Sequence, residues 1–256
     1  MQITCTENIG LFLDFDGTLV DFAQTPEGVY VPEELRQVLG ALAVQLNGAL
    51  ALVSGRALDS LSGLINLPLT MAGSHGAEWR YGDGPVMHRD LESAEFVKIK
   101  AKLLEYAEDR GLIVEDKGHA IALHYRGKEH LREALDSYID DQLSLGERTD
   151  MRVIKGNCVR EIQPVGVDKG VAIAHFMSTS PFIGRQPVYI GDDTTDEDGF
   201  AWVNQNGGVS IKVGPGESCA GVRLCDTGEV LAFLQLQLKR LEDVNERAKS
   251  GVGVNR

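Results

Sequence analysis

Residues 11–20 read LFLDFDGTLV, an apolar run that breaks on two aspartates one residue apart, Asp14 and Asp16. A run such as Ile9–Phe15 has the length and composition of a parallel strand covered on both faces, where an ionised carboxylate is costly unless it is paired or bound to metal. On an extended backbone the two side chains share a face, and Gly17 permits a sharp exit. Three further segments carry chemistry-bearing residues next to apolar runs: Ser54-Gly55-Arg56, Asp168-Lys169-Gly170 and GDDTTD at 191–196. Asp14 and Asp16 with Asp192 make an all-oxygen set suited to Mg²⁺ and a phosphate. Asp14 then reads as a nucleophile, and Asp16 as the acid and base that protonates a leaving alkoxide and later activates water. Ser54 and the backbone N–H groups around Gly55 suit phosphate oxygens, while Lys169 supplies a point charge for the transferring group.

For these residues to meet, they must stand at the same ends of neighbouring strands. The pattern supplies that. After the first strand, Leu35, Val38, Leu39, Leu42 and Leu46 recur at helical spacing behind Pro32, Glu33 and Glu34. GALALVSGR and LTMAGSHG read as further strands, with a short helix near 57–64 between them. From Asp168 the alternation resumes with a helix (Val171 to Met177), the strand PVYIGDD, a helix near 195–205, the strand GGVSIKV and a C-terminal helix. The class is α/β: a doubly wound parallel sheet, whose ligands bind beyond the carboxyl ends of the strands.

Between these halves the period changes. AEWRYGDGPVMHR carries an Asp83-Gly84 turn and reads as a hairpin. Helical stretches near 92–110 and 128–143 alternate with the strand candidates GLIVED, HAIALHYR, MRVIKG and CVREIQP. We therefore expect a core domain of residues 1–76 and 166–256, interrupted by an inserted α+β cap domain at 77–165. Gly76 and the Pro164-Val165-Gly166 stretch are the expected hinges.

The chain has 256 residues, 43% hydrophobic and 25% charged, with a net charge of −13. That balance argues against a general nucleic-acid or anionic-membrane binder, and it requires local cations at any site for an anionic substrate. Four cysteines (Cys5, Cys158, Cys219, Cys225) lack metal-ligand spacing and suit free thiols in a reducing compartment. With no basic n-region, signal-like apolar stretch or long apolar run, the expectation is a soluble cytoplasmic protein with no obligate protein partner.

Taken together, DFDGTL, SGR, Lys169 and GDDTTDED resemble the haloacid dehalogenase (HAD) superfamily of phosphohydrolases. The ordered set DFDGTL, LVSGR, AGSHGAEWR, ALHYR, EIQP and FIGRQPVYIGDDTTDEDGF, spanning roughly 9–215, is similar to the bacterial trehalose-6-phosphate phosphatases within it. The resemblance implies hydrolysis of trehalose 6-phosphate, a phosphorylated disaccharide, in trehalose biosynthesis through a phosphoaspartate on Asp14. It implies Mg²⁺ held by Asp14, the backbone carbonyl of Asp16 and Asp192, with either Asp193 or Asp196 supporting; Asp196 is taken with the metal residues. It further implies substrate contacts from Gly55, Arg56, His75 and Glu78, and sugar contacts from Lys117, His124 and Glu161 in the cap. Glu161 has an alternative reading as the ion-pair partner of Arg126 or Arg160. Gly199, where the resembled family usually has Ala, and Asp21-Phe22 depart from the pattern and touch no assigned chemical role. The competing functional readings are a phosphatase for another sugar phosphate, such as sucrose phosphate or mannosyl-phosphoglycerate, and a sugar-phosphate sensor without turnover.

Overall fold

The computed structural model describes residues 8–23, 25, 28–89, 94–116, 120–144, 151–156 and 158–249. Contacts divide the chain into two compact units, Met1–His88 with Asp168–Arg256, and Arg89–Val167. Each has its own apolar core.

The first unit is built on an eight-stranded sheet. In chain order its strands are β1 (Ile9–Leu13), β2 (Leu50–Val53), β3 (Thr70–Gly73), β4 (Glu78–Arg80) and β5 (Met87–His88), and then, after the second unit, β10 (Gln186–Gly191), β11 (Val209–Val213) and β12 (Val222–Leu224). Their spatial order is β12-β11-β10-β1-β2-β3-β4-β5, with every pairing from β12 to β3 parallel. The chain leaves β1 toward β2 and β3 on one side and returns to β10 on the other, so the sheet reverses its winding between β1 and β10. Ligands of such sheets bind at that point.

Helices α1 (Glu33–Gln45), α2 (Leu58–Ile65), α5 (Lys169–Met177), α6 (Glu197–Gln205) and α7 (Thr227–Lys249) belong to this unit. The apolar stripe read from the sequence is what α1 buries, with Leu35, Val38, Leu39 and Leu42 in the core. Every residue of β1, β2 and β3 is buried, as strands covered on both faces require. Trp79 and Trp202 pack against the same core.

The hairpin expected after His75 does form, as β4 and β5, but it extends the first unit's sheet antiparallel to β3 instead of belonging with the insert. Exposed edge strands seek pairing, and β3 offers a free edge that a hairpin starting five residues later can cover. The short strand β12 was not anticipated.

The second unit holds α3 (Ala94–Arg110) and α4 (Arg132–Ser144) with an antiparallel sheet of β6 (Ile113–Asp116), β7 (Ile121–His124), β8 (Met151–Gly156) and β9 (Val159–Pro164), ordered β6-β7-β9-β8. Leu103, Ala107, Leu123, Leu135, Ile139 and Ile162 lie at its centre. No helix among the described residues is long and apolar enough to cross a membrane.

Candidate active site

Asp14 follows the last residue of β1, and its N–H donates to the Ile190 carbonyl of β10 at 2.9 Å. That bond sets the end of β1 beside Gly191 and Asp192, the end of β10. Carboxylate oxygens of Asp14, Asp192 and Asp196 consequently lie within 4.8 Å of one another. Lys169 opens α5, whose N-cap is Asp168 accepting from the Val171 N–H at 2.7 Å. Its Nζ donates to Asp14 Oδ1 at 2.7 Å and to Asp196 Oδ1 at 2.6 Å.

This group is deeply enclosed: Asp14 is 4% exposed, Lys169 3% and Asp196 0%. Burial, and then the charge of Asp196, raises the Asp14 carboxyl well above the usual carboxylate range, against the pull of Lys169. Burial alone would push Lys169 down, but Asp14 and Asp196 outweigh it and hold the ammonium above its ordinary range. Asp192 is also raised, chiefly by burial. Three carboxyl groups thus share the Lys169 ammonium in an enclosed site.

Asp196 is fully committed. Oδ1 accepts from Lys169 and from the Tyr189 hydroxyl, and Oδ2 accepts from the Asp192 and Asp193 N–H groups at 2.9 Å each. Four donors occupy the lone pairs of a carboxylate. Asp196 thus positions Lys169 and the Asp192 backbone, while its carboxylate also belongs to the Asp14–Asp192–Asp196 group that could hold a metal ion. Asp193, the alternative, is exposed and caps the turn at Thr194.

Asp16 and Arg56 were expected to serve separately, one in proton transfer and one on substrate. They are instead partners: Arg56 Nε donates to Asp16 Oδ2 at 2.6 Å and Nη2 to Oδ1 at 2.7 Å. A planar guanidinium matches a carboxylate in this two-point fashion, and the Phe15 ring lies 5.5 Å beneath it. The fork uses one lone pair on each Asp16 oxygen.

The Ser54 hydroxyl accepts from the Arg56 N–H at 3.1 Å, which forms the tight turn after β2. A Cβ at Gly55 would stand 2.7 Å from His75 Cε1, so a larger residue there would have to displace the imidazole. Glu78, expected on substrate, has Oε1 accepting from the Leu58 N–H at 2.7 Å and the Ser74 hydroxyl at 3.0 Å, so it secures the start of α2. An uncapped helix N-terminus exposes donors that a nearby carboxylate readily takes.

In the second unit, Glu161 is buried on β9 and pairs across the sheet with Ala122 and Ile154. Arg160 turns to Asp136 at 2.6 Å and to the Tyr125 hydroxyl at 2.7 Å, and is committed to them. His124 Nε2 stands 3.4 Å from Glu115 Oε2. Lys117 lies outside the described residues.

Three contributors were missed by sequence reasoning. Thr18 Oγ1 lies 3.2 Å from Asp14 Oδ2 and 3.3 Å from Asp192 Oδ1, bridging the two. Lys212, buried on β11, donates to the Asp192 carbonyl and to the Val213 carbonyl. A lysine inside the strand VSIKV was the available signal, because a buried ammonium demands acceptors. Tyr189 was hidden in an apolar strand, yet Gly199 pointed to it. A Cβ at Gly199 would stand 2.4 Å from Tyr189 Cε1, so this departure from the resembled pattern leaves room for the ring that serves Asp196.

Does the site fit Mg²⁺? The open donors of Asp14 and Asp192 are hard carboxylate oxygens. Three acidic side chains, Asp14, Asp192 and Asp196, outnumber the Lys169 ammonium they gather around, before a phosphate dianion arrives. A divalent cation compensates that excess, so the residues fit the group.

The sequence profile described as Trehalose-phosphatase matches residues 12–222. The chain belongs to the trehalose-phosphatase family. It is 44% identical to a probable trehalose-phosphate phosphatase of Sinorhizobium fredii over 83% of this chain and 80% of that one. With the trehalose-6-phosphate phosphatase of Escherichia coli K12 the identity is 40%, over 93% and 90%. The solved structure of a trehalose-6-phosphate phosphatase related protein superposes with a TM-score of 0.68 at 26% identity, covering 90% of this chain and 96% of that one. A haloacid dehalogenase-like hydrolase from B. subtilis shares the fold, with a TM-score of 0.64 at 13% identity over 88% and 99%. The trehalose-phosphatase family member described here is thus a phosphatase with an HAD-type core, as its motifs implied.

Proposed function

We propose that this phosphatase hydrolyses trehalose 6-phosphate to trehalose and phosphate, in trehalose biosynthesis, through a phosphoaspartate on Asp14. The observation that carries the reading is the placement of Asp14: a buried carboxylate at the sheet's switch point, held by Lys169 and within ligating distance of Asp192. The family assignment and the names of the relatives support the substrate.

Asp14 attacks phosphorus while Lys169 offsets charge on the phosphoryl oxygens, and Asp16, aimed by Arg56, gives a proton to the departing sugar oxygen. Asp16 then takes a proton from the water that attacks the phosphoaspartate, which returns Asp14 and releases phosphate. Mg²⁺, held by Asp14, Asp192 and the Asp16 carbonyl, would lower repulsion between the carboxylates and the incoming phosphate. Ser54 and the Gly55 backbone receive phosphate oxygens, and His75 contributes beside them. The unit of residues 89–167 acts as the cap that reads the sugar hydroxyls, through Lys117, His124 and Glu161.

The test is phosphate release from trehalose 6-phosphate, sucrose 6-phosphate and glucose 6-phosphate, with Mg²⁺ and with EDTA. Fastest release from trehalose 6-phosphate, abolished by EDTA and in Asp14→Asn, is expected. Equal or faster release from another sugar phosphate overturns the substrate. Tight binding with Mg²⁺ and no release overturns the reaction.

A further inference from the structure

Phe22 is 71% exposed, in a loop whose preceding residues Leu19 and Val20 are buried. Exposure alone would not set it apart, since isolated apolar side chains are common on surfaces and Tyr30 is 77% exposed. Its position does. The point where a Cβ on Gly17 would stand is 2.2 Å from Asp192 Oδ2 and 2.7 Å from Phe22 Cε2. The Phe22 ring and the Asp192 carboxylate therefore both lie against one spot at Gly17, three residues after Asp14, and only a glycine, here at φ +75°, lets them close on it. The loop beneath the ring is fixed. Gly17 N–H donates to the Val20 carbonyl at 2.8 Å, Val20 N–H to the Phe15 carbonyl at 3.2 Å, and Asp21 Oδ1 accepts from the Thr227 hydroxyl at 2.8 Å.

Aromatic rings are positive at the edge and negative on the face. Phe22 is largely exposed and offers its ring to solvent, where polarised C–H groups of a ligand suit an aromatic face. An ester whose phosphoryl group has reached Asp14 carries its alcohol portion only a bond or two away. Sugars present faces of C–H groups between their hydroxyls. We propose that Phe22 is a specificity-determining residue, a stacking platform supplied by the HAD-type core for the sugar ring that bears the phosphate. This deepens, and rests on, the sugar-phosphate reading above.

The experiment measures kcat/KM for trehalose 6-phosphate, glucose 6-phosphate and acetyl phosphate, which has no sugar, in the wild type and in Phe22→Ala, Phe22→Leu and Phe22→Tyr. The ratio of sugar phosphate to acetyl phosphate cancels any general damage to Asp14 or its neighbours. We expect that ratio to fall about 3- to 10-fold in the Ala and Leu variants, as loss of one aromatic contact implies, and to recover in Tyr. A ratio unchanged in Phe22→Ala, or restored as well by Leu as by Tyr, overturns the platform. A wild type that shows no preference for any sugar phosphate over acetyl phosphate instead overturns the sugar reading, which separates the two failures.

Discussion

Asp196 accepts from four donors with two oxygens, and an amide cannot do so. In Asp196→Asn an NH₂ must face either Lys169 and Tyr189 or the two backbone N–H groups, leaving buried donors opposed. Breaking a buried charged network from one side costs about 3–5 kcal/mol. Asp196→Asn should therefore lower the melting temperature sharply and cut phosphate release by at least roughly 10²-fold, since Lys169 loses the carboxylate that aims it. Asp193→Ala loses only an exposed cap at Thr194, costing about 0.5–2 kcal/mol, with turnover near that of the wild type. Thermal melts and phosphate release on both variants decide it, and equal damage from the two would refute the division. The sequence GDDTTD announced an acidic site without revealing this division. Which carboxylate turns inward depends on the turn after β10, and backbone N–H directions are not written in residue types. The Asp16–Arg56 pair was invisible for a related reason, because the two are 40 positions apart and meet only once β1 and β2 pair.

The strands and helices themselves were largely legible, because buried parallel strands are continuous apolar runs and amphipathic helices repeat at 3.6 residues. What periodicity does not carry is an element's neighbour. The hairpin β4–β5 was read correctly as a hairpin and assigned to the insert, since nothing in its own residues names β3 as its partner. Arg160 gives the same lesson: from the sequence it was, with Arg126, an alternative ion-pair partner for Glu161, and nothing there named Asp136, through which it joins β9 to α4 at 2.6 and 3.1 Å. That tie makes a pH prediction. The hydrogen bonds from Arg160 hold the Asp136 carboxyl below its usual range. A carboxyl depressed on folding stabilises the fold above its unfolded value, about pH 3.9, and the contribution fades as pH falls through the lower folded value. Asp136→Asn should accordingly be less stable than the wild type at neutral pH, by about 1.5–3 kcal/mol for hydrogen bonds to a charged group. The gap in melting temperature should shrink below about pH 4. A gap that stays constant or widens on acidification would show that the ion pair is not its source.

At the scale of the molecule, the chain separates what does chemistry from what is proposed to select. Asp14, Asp16, Arg56, Lys169, Asp192 and Asp196 all lie in the first unit, and the apolar residues supporting them are distinct from those supporting the second. The change of hydrophobic period after Gly76 led to the expectation of an insert at 77–165, and the contact boundaries of the second unit fall at Arg89 and Val167, after the hairpin. Two cores imply two stabilities that can be moved separately. Leu135 on α4 is fully buried in the second core. Leu135→Ala should destabilise that unit by about 2–5 kcal/mol, the usual cost of a Leu-sized cavity, while leaving the first core intact. On warming, the variant should lose trehalose 6-phosphate turnover at a lower temperature than acetyl phosphate turnover, because only the former is proposed to need the second unit. The matching change in the first core, Leu39→Ala, strikes the platform of the chemistry and should bring both activities down together. Parallel loss of both activities in Leu135→Ala would mean that the first unit cannot stand without the second, and that the division visible in the contacts is not one of function.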